Sequence, residues 1–387
     1  MRIAINLLLP ATPGPLNYVD GFLGALSEAP GEHDFLVLLR RSIDWSPSYP
    51  LGDRMEIRRI ALNAGYVPRV AYEQLLMPQV VFEWQADVLF CPFDIAPLLP
   101  RCAVLLAVRN PSPYLLKARR CELSFGETVK AWVHSWMARA SGRIARRVFY
   151  PTRFASDLLG GLSNVPPEKR SVIFHGVDRD FWARPRDAAF LLARLNLKRR
   201  KYFLFVSRFY KYKRVGLLAD AFVRWCKAGR AGDFKLVLVG RSFDAAFESM
   251  LLKQATIAGA EGRISILGHT LREDLASLYQ NCAGFVFPSE LETFGQPLAE
   301  AICSGVPVIA CDLGFAREIC GESALYFPAG DSVALERTLD ALANDPGLWL
   351  RLAAATTHEA RKFSWRREAE ETLKLAESVG ASVGPRG

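Results

Sequence analysis

The chain has 387 residues, 50% of them hydrophobic and 23% charged, and its 49 basic against 40 acidic side chains leave a formal charge of +9 at pH 7. This is ordinary globular material, long enough for two domains with sizeable cores, and it excludes a disordered or fibrous chain. No helix-turn-helix, zinc or RNA-binding signature accompanies the positive charge, so nucleic acid is not an expected partner.

The apolar run Met1 to Leu9 is closed at once by Pro10, which makes it too short for a signal segment with a cleavage site or for a membrane span. No other stretch is long enough to cross a bilayer. The run reads instead as a first strand, Arg2 to Leu8. Further strands follow at Phe35–Leu39, Met55–Ile60, Asp87–Cys91, Ala103–Val108, Arg147–Tyr150 and Ser171–Phe174. A second set comprises Tyr202–Val206, Lys235–Val239, Arg263–Leu267, Gly284–Phe287 and Val306–Ala310. Most are continuous apolar runs, the pattern of parallel strands covered on both faces. Helical segments intervene, notably Leu16–Glu28, Val215–Ala228, Asp274–Asn281 and Ala334–Asn344. The expected architecture is a doubly wound α/β pattern in two copies. The charged, proline-bearing stretch Val177–Arg200 breaks the alternation and is the expected interdomain connection. The eight cysteines, at 91, 102, 121, 226, 282, 303, 311 and 320, form no C-x-x-C pair and lie mostly in apolar runs. They read as reduced, buried thiols of a cytosolic protein, and a zinc site has little support.

Three segments bear chemistry. The run Lys130–Arg147 mixes Trp132, Trp136, Met137 and Ile144 with Lys130, Arg139, Arg143, Arg146 and Arg147. A basic amphipathic helix of this kind can lie on an anionic bilayer, at the inner face of the cell membrane; the alternative is a helix packed on the first sheet with its arginines in solvent. Further on, strand Tyr202–Val206 runs into Ser207-Arg208-Phe-Tyr-Lys-Tyr-Lys213-Arg214, and a helix begins near Val215. Arg208 and Lys213 therefore stand on a strand-to-helix loop at the carboxyl edge of a parallel sheet, where ligands bind in such folds. A solvated basic face is the plainer alternative.

The third segment is Ser289-Glu-Leu-Glu-Thr-Phe-Gly-Gln-Pro-Leu-Ala-Glu300. The run Ala283–Pro288 reads as a buried strand closed by proline, and Pro297 and Gly305 bracket a helix from about Pro297 to Ser304. Glu292 then sits in the loop and Glu300 in the first turns of the helix. Gly295 bares the backbone ahead of that helix, whose free N–H groups and positive dipole end favour an anion. The arrangement suits a phosphate with polyol hydroxyls on either side, because a carboxylate accepts two hydroxyl hydrogen bonds at once. Two solvated glutamates and a turn glycine are the alternative reading.

This segment resembles the E-x7-E signature of retaining glycosyltransferases of family 4, which have the GT-B fold and use nucleotide-sugar donors. Pro288, Ser289, Glu292, Phe294, Gly295, Pro297, Glu300 and Ala301 all fit it, while Thr293 stands where glycine is common. The Arg208 to Lys213 spacing resembles the family's Gly-Arg-Leu-x-x-x-Lys element, with Ser207 in place of the glycine. Asp312 to Glu318 and Tyr326 to Asp331 also fit, and Phe363-Ser-Trp365 introduces a last helix. The resemblance implies that Glu292 contacts the transferred sugar and that the backbone at Phe294, Gly295 and Gln296 cradles sugar and diphosphate. It implies further that Glu300 holds the ribose, that Arg208 and Lys213 bind the diphosphate, and that Gly268-His269 lies on the loop that holds the nucleobase. Gly14 falls where members carry a double glycine near the donor, but Pro15 replaces the second. Asn110 stands where many members place a histidine facing the sugar, and it cannot act as a base at neutral pH. The D-x-D of Asp178-Arg-Asp180 lies in a Gly-Val-Asp stretch that is structural in the family, so no metal or other cofactor is expected.

The reading from sequence is thus a GT-B α/β protein of two Rossmann-like domains facing a central cleft. Residues 1–180, with a crossing helix at about 366–387, would form the acceptor side, and residues 181–365 the nucleotide-sugar side. The expected function is retaining, metal-independent hexosyl transfer from a UDP- or GDP-sugar to a saccharide or lipid-linked saccharide in bacterial surface polysaccharide assembly. A GT-B-like phosphorylase or sugar-nucleotide epimerase, a catalytically silent nucleotide-sugar scaffold and a dinucleotide oxidoreductase are the rivals. The last lacks a G-x-G-x-x-G after the first strand.

Overall fold

The computed structural model describes residues 1–8, 13–29, 31–43, 45–47, 49–63, 65–115, 125–242, 245–257 and 259–381. They divide into two compact units, Met1–Gly176 together with Ser364–Gly387, and Val177–Phe363.

In the first unit the elements run β1 (Arg2–Leu7), α1 (Pro13–Ser27), β2 (Asp34–Arg40), β3 (Met55–Ile60), α2 (Tyr66–Leu75), α3 (Met77–Glu83) and β4 (Val88–Cys91). They continue with β5 (Ala103–Ala107), α4 (Phe125–Ile144), β6 (Arg147–Tyr150), α5 (Arg153–Leu162) and β7 (Arg170–Val172). The strands form one parallel sheet of order β3-β2-β1-β4-β5-β6-β7. Two apolar layers cover it. Ile3, Ile5, Leu7, Phe90 and Leu105 point to one face and Ala4, Leu36, Leu89 and Leu106 to the other, as the alternation of side chains along buried strands requires. Gly14 lies in the first turn of α1, whose start at Pro13 precedes the expected Leu16.

The second unit opens with α6 (Arg179–Ala183) and α7 (Ala189–Arg194), followed by β8 (Tyr202–Val206), α8 (Val215–Lys227), β9 (Lys235–Val239), α9 (Ala245–Ile257) and β10 (Ile264–Leu267). Then come α10 (Arg272–Asn281), β11 (Gly284–Phe287), α11 (Gln296–Cys303), β12 (Val308–Cys311), α12 (Gly314–Cys320), β13 (Ala324–Phe327), α13 (Ser332–Asn344) and α14 (Pro346–Glu359). Its sheet is parallel too, of order β10-β9-β8-β11-β12-β13. The strand order reverses between β8 and β11, so the loops that follow these two neighbours leave toward opposite faces. That divergence opens a crevice at their carboxyl ends, the switch point of a doubly wound sheet. The first sheet has the same reversal between β1 and β4.

The stretch Val177–Arg200 is no free connection, for it folds onto the second unit. Asp178 caps α6 by accepting from the Phe181 N–H at 3.1 Å, Trp182 packs edge-on against Tyr279 at 5.6 Å, and Gln280 donates to the Trp182 and Arg184 carbonyls. The Asp178 carboxylate also pairs with Arg272 at 3.1 Å, so it serves as a cap and an ion-pair partner.

After the second unit the chain returns to the first as α15 (Trp365–Ala381). Ala369, Leu373, Ala376 and Val379 join the apolar layer of α1 and β1. The Trp365 indole lies against Gly21 and Gly176, where a Cβ would come within 2.3 Å of it, so both positions exclude every other residue. A buried polar group fixes this return. Arg109 pairs with Glu368 at 2.6 Å, donates to the Tyr18 hydroxyl at 2.9 Å, and lies 2.7 Å from His175 Nδ1, while the Gly176 N–H donates to Glu368 at 2.7 Å.

Helix α4 packs on the first unit through Met137, Ala138 and Ser141, but its arginines and its apolar residues do not divide as a helix with solvated arginines would have them. Trp132 is 64% and Trp136 55% exposed, and with Val129 and Val133 they form an exposed stripe at helical spacing. Its arginines turn to the protein, Arg139 donating to the Tyr114 and Leu162 carbonyls and Arg143 to the Ser163 carbonyl. No described helix is long and apolar enough to cross a membrane. The described cysteines are all free, and burial pushes the Cys282, Cys303 and Cys320 thiols well up, which leaves them protonated and inert; Cys121 lies outside the described residues.

Candidate active site

The two chemistry-bearing segments of the second unit meet at its switch point. Lys213 ends the loop after β8 and Glu292 lies on the loop after β11, and these strands are neighbours in the sheet. The Lys213 ammonium donates to Glu292 Oε1, which also accepts from the Ser289 hydroxyl at 2.9 Å. Both partners are nearly buried, with side chains 10% and 13% exposed. A backbone bond from the Glu290 N–H to the Tyr212 carbonyl (2.9 Å) and an ion pair of Arg214 with Glu290 (2.7 Å) tie the two loops beside it. Arg214 takes a left-handed conformation, φ 51°, to start α8, which turns the end of the basic loop sharply.

Gly295 stands at the start of α11 with φ 82° and ψ 64°, a conformation that costs glycine little. A Cβ there would meet Leu298 at 3.0 Å. The preceding Phe294 is buried edge-on against Phe363 at 5.7 Å, so its side chain belongs to the core and only its backbone is offered to a ligand. Gln296 opens the helix with its N–H at the positive dipole end, Pro297 has no N–H, and the Leu298 N–H donates to the Gly295 carbonyl at 2.8 Å. Arg208 is exposed on the loop after β8, and His269 is exposed on the loop after β10. Gly240, at the end of β9, has φ 132° and lets the backbone at Ser207 approach so closely that a Cβ would lie 1.9 Å from the Ser207 carbonyl.

Glu300 lies in α11 with the Tyr279 hydroxyl 3.5 Å from its carboxylate. Burial raises its carboxyl to about 8, against the opposing charge of Arg272. The folded protein therefore holds a proton that the unfolded chain, with an ordinary value of 4.5, has released. This contribution to stability is present at low pH and is lost as pH rises through 8. Glu300→Gln, which carries no charge, should match the wild-type melting temperature at pH 5 and exceed it by several degrees at pH 9. Equal offsets at both values, by scanning calorimetry, would show that the carboxyl is not desolvated.

In the first unit Asn110 is exposed, and its side-chain oxygen accepts from the Ser112 N–H at 3.0 Å in a local turn. The residue that sequence reasoning missed is Asp94. It is buried, has φ 58°, and accepts from the Arg109 and Asn110 N–H groups at 3.1 and 3.3 Å. Burial raises its carboxyl to about 7. Nothing in Cys-Pro-Phe-Asp-Ile-Ala announces this, because its partners lie on the next strand's loop.

Residues 190–363 match the family model described as Glycosyl transferases group 1. They form a glycosyltransferase group 1 domain. This domain contains Arg208, Lys213, Glu292 and Glu300. The chain is 30% identical over 220 residues to the D-inositol 3-phosphate glycosyltransferase of Frankia alni (strain DSM 45986 / CECT 9034 / ACN14a), an alignment of 55% of this chain and 54% of that protein. It is 33% identical over 153 residues to the phosphatidyl-myo-inositol mannosyltransferase of Mycobacterium leprae (strain TN), covering 39% of each. The chain thus spans about half or less of the length of these relatives. The crystal structure of Anabaena Alr3699/HepE in complex with UDP and glucose is similar with a TM-score of 0.73 at 18% identity, covering 98% of this chain and 100% of that one. The fold around the glycosyltransferase group 1 domain is accordingly GT-B, two Rossmann-like parallel-sheet units with a last helix.

Proposed function

We propose that this protein is a retaining glycosyltransferase of the family 4 type, moving a hexose-type sugar from a UDP- or GDP-sugar to an acceptor hydroxyl. The observation that carries the reading is the Lys213–Glu292 contact at the switch point, on the loop that leads into the glycine-started helix α11. The diphosphate lies at the positive end of α11, at the Gln296 N–H, with Lys213 and Arg208 beside it, Glu292 orients the sugar, and Glu300 holds the ribose. When the bond from C1 to the leaving phosphate oxygen breaks, negative charge grows on that phosphate. Fixed cations and a helix end stabilise it without reorganisation. The acceptor oxygen bonds to C1 on the face the phosphate leaves, and its proton passes to a phosphate oxygen. Cations in place of a metal suit the engagement of Asp178 with Arg272 and α6. The relatives with inositol phosphate and phosphatidylinositol in their names support a saccharide or lipid-linked acceptor, here of bacterial surface polysaccharide assembly.

Thermal shift with a panel of UDP- and GDP-sugars tests the donor, since a specific ligand stabilises the fold by mass action. Turnover of the one that binds should survive a chelator, and an inverted anomeric product by NMR would sink the retaining mechanism. The exposed Val129, Trp132, Val133 and Trp136 stripe supports a peripheral site on an anionic membrane at the cytoplasmic face. Co-flotation with phosphatidylglycerol vesicles should be lost in Trp132→Ser/Trp136→Ser; equal flotation of variant and wild type removes this part of the reading.

A further inference from the structure

The loop after β9 carries a cation that the diphosphate chemistry leaves unused. Gly240 follows that strand and Arg241 comes next, at the carboxyl edge of the second sheet. Backbone hydrogen bonds fix the loop there. The Gly240 N–H donates to the Leu267 carbonyl at 2.8 Å, the Phe209 N–H to the Arg241 carbonyl at 3.1 Å, and the Ser242 N–H to Glu248 Oε1 at 2.6 Å. The Arg241 guanidinium reaches across to the loop after β10 and rests against Gly268, where a Cβ would come within 2.7 Å of Nε and 3.0 Å of Nη2. The missing side chain at Gly268 is what leaves room for it. The arginine is exposed and makes no side-chain hydrogen bond or ion pair among the described residues.

Its place in the sheet says which part of a nucleotide it can meet. The strand order sets β9 two strands from β11, whose loop carries Glu292 and leads into α11. Neighbouring strands lie about 4.8 Å apart, so Arg241 stands roughly 10 Å from the diphosphate position, too far to touch it. The nucleoside end extends the other way. Glu300, which holds the ribose on the proposed reading, has the Tyr279 hydroxyl 3.5 Å away and lies near enough to Arg272 to feel its charge. Both residues belong to α10, which begins at Arg272, just past the Gly268 loop. A ribose on Glu300 therefore sends its base toward that loop and the guanidinium resting on it. A guanidinium presents two parallel N–H groups and is satisfied by two acceptors side by side. Guanine offers O6 and N7 in that arrangement, the commonest base contact of arginine. Uracil sets an N–H between its carbonyls, and adenine sets an amino group beside N7.

We propose that Arg241 selects the nucleobase of the donor and that the base is guanine, so that the sugar arrives as a GDP-sugar. This rests on the nucleotide-sugar reading of the second unit and narrows it. The test is isothermal titration calorimetry of the full-length protein with GDP, UDP, ADP and CDP. GDP should bind most tightly. Arg241→Gln should weaken GDP by about tenfold or more and leave UDP, held through diphosphate and ribose, within about twofold. Unchanged UDP affinity also guards against a folding defect. Arg241→Lys keeps the charge but loses the fork, so it should weaken GDP nearly as much. The analogue 7-deaza-GDP, with a C–H in place of N7, should bind the wild type more weakly than GDP does, and Arg241→Gln should hold the two alike. Tightest binding of UDP, ADP or CDP overturns the assignment, and so does undiminished GDP affinity in Arg241→Gln or Arg241→Lys; in each case the donor site itself stands. Failure of all the nucleotides to bind overturns the nucleotide-sugar reading, and the base assignment falls with it.

Discussion

Lys213→Ala is expected to lower turnover by a factor of about 10²–10³, the effect of removing one preorganised group that stabilises developing charge. The loss should fall on kcat for release of the nucleoside diphosphate, because the ammonium is needed most when the phosphate departs. The same substitution acts on stability, since it strands the Glu292 carboxylate in a nearly water-free position. Breaking a buried pair at one end costs about 3 kcal/mol, whereas replacing both ends by apolar groups is often neutral. Lys213→Met combined with Glu292→Leu should therefore recover most of the melting temperature and none of the activity. That separation distinguishes a catalytic lysine from a structural one. Wild-type rates in Lys213→Ala or Glu292→Gln would refute the site. On the proposed reading the contact has a kinetic side as well: Lys213 is held by Glu292, so phosphate binding would draw the lysine away and leave the carboxylate for sugar hydroxyls.

The second large effect is expected at Glu368, the fully buried member of the group that anchors α15. Glu368→Ala leaves Arg109 buried without its carboxylate and the Gly176 N–H without its acceptor. The expected cost is about 3–5 kcal/mol, read by calorimetry or denaturant unfolding. A change under about 1 kcal/mol would mean that water replaces the lost partners. Acid should act on the same group. Burial pushes Glu368 up, but Arg109 above all, with His175 and the Gly176 N–H, outweighs it and holds the carboxyl below its ordinary 4.5. Its contribution is present above that value and is lost as pH falls. His175 is lowered by burial and then by Arg109, so the folded state keeps it neutral and loses stability once pH drops below the ordinary 6.5. The contribution of this group should decline from about pH 6.5 downward, against the opposite contributions of Glu300 and Asp94, and Glu368→Gln should flatten the part of its decline below pH 4.5.

The strands were legible because parallel strands buried on both faces leave continuous apolar runs, and all but one of those described appear in the sequence reading. The exception, β13, is an edge strand with Leu325 and Tyr326 only partly buried, so it lacks the full burial of its equally short neighbours β11 and β12. Val177–Arg200 misled for the opposite reason, since its charges and prolines look like a linker while Trp182 and Asp178 quietly pin it to α10. At the site, the residue types and their spacing were legible, but the meeting of Lys213 with Glu292 was not. They are 79 positions apart and are joined only because β8 and β11 are neighbours. Asp94, Arg109 and Glu368 were illegible for the same cause, and Arg109 reaches Glu368 across 259 positions. Single buried charges carry no periodic signal, so only the tertiary structure shows that they are satisfied.

The return of α15 to the first unit also sets an order of events during synthesis. The second unit, Val177–Phe363, is one contiguous stretch, and every residue of its core has left the ribosome before Trp365 appears. The first unit begins earlier but lacks Ala369, Leu373, Ala376 and Val379, and the carboxylate for Arg109, until α15 emerges. Although its sheet is translated first, its core is completed last, and the apolar surface around Tyr18 and Phe22 waits uncovered while the other unit folds.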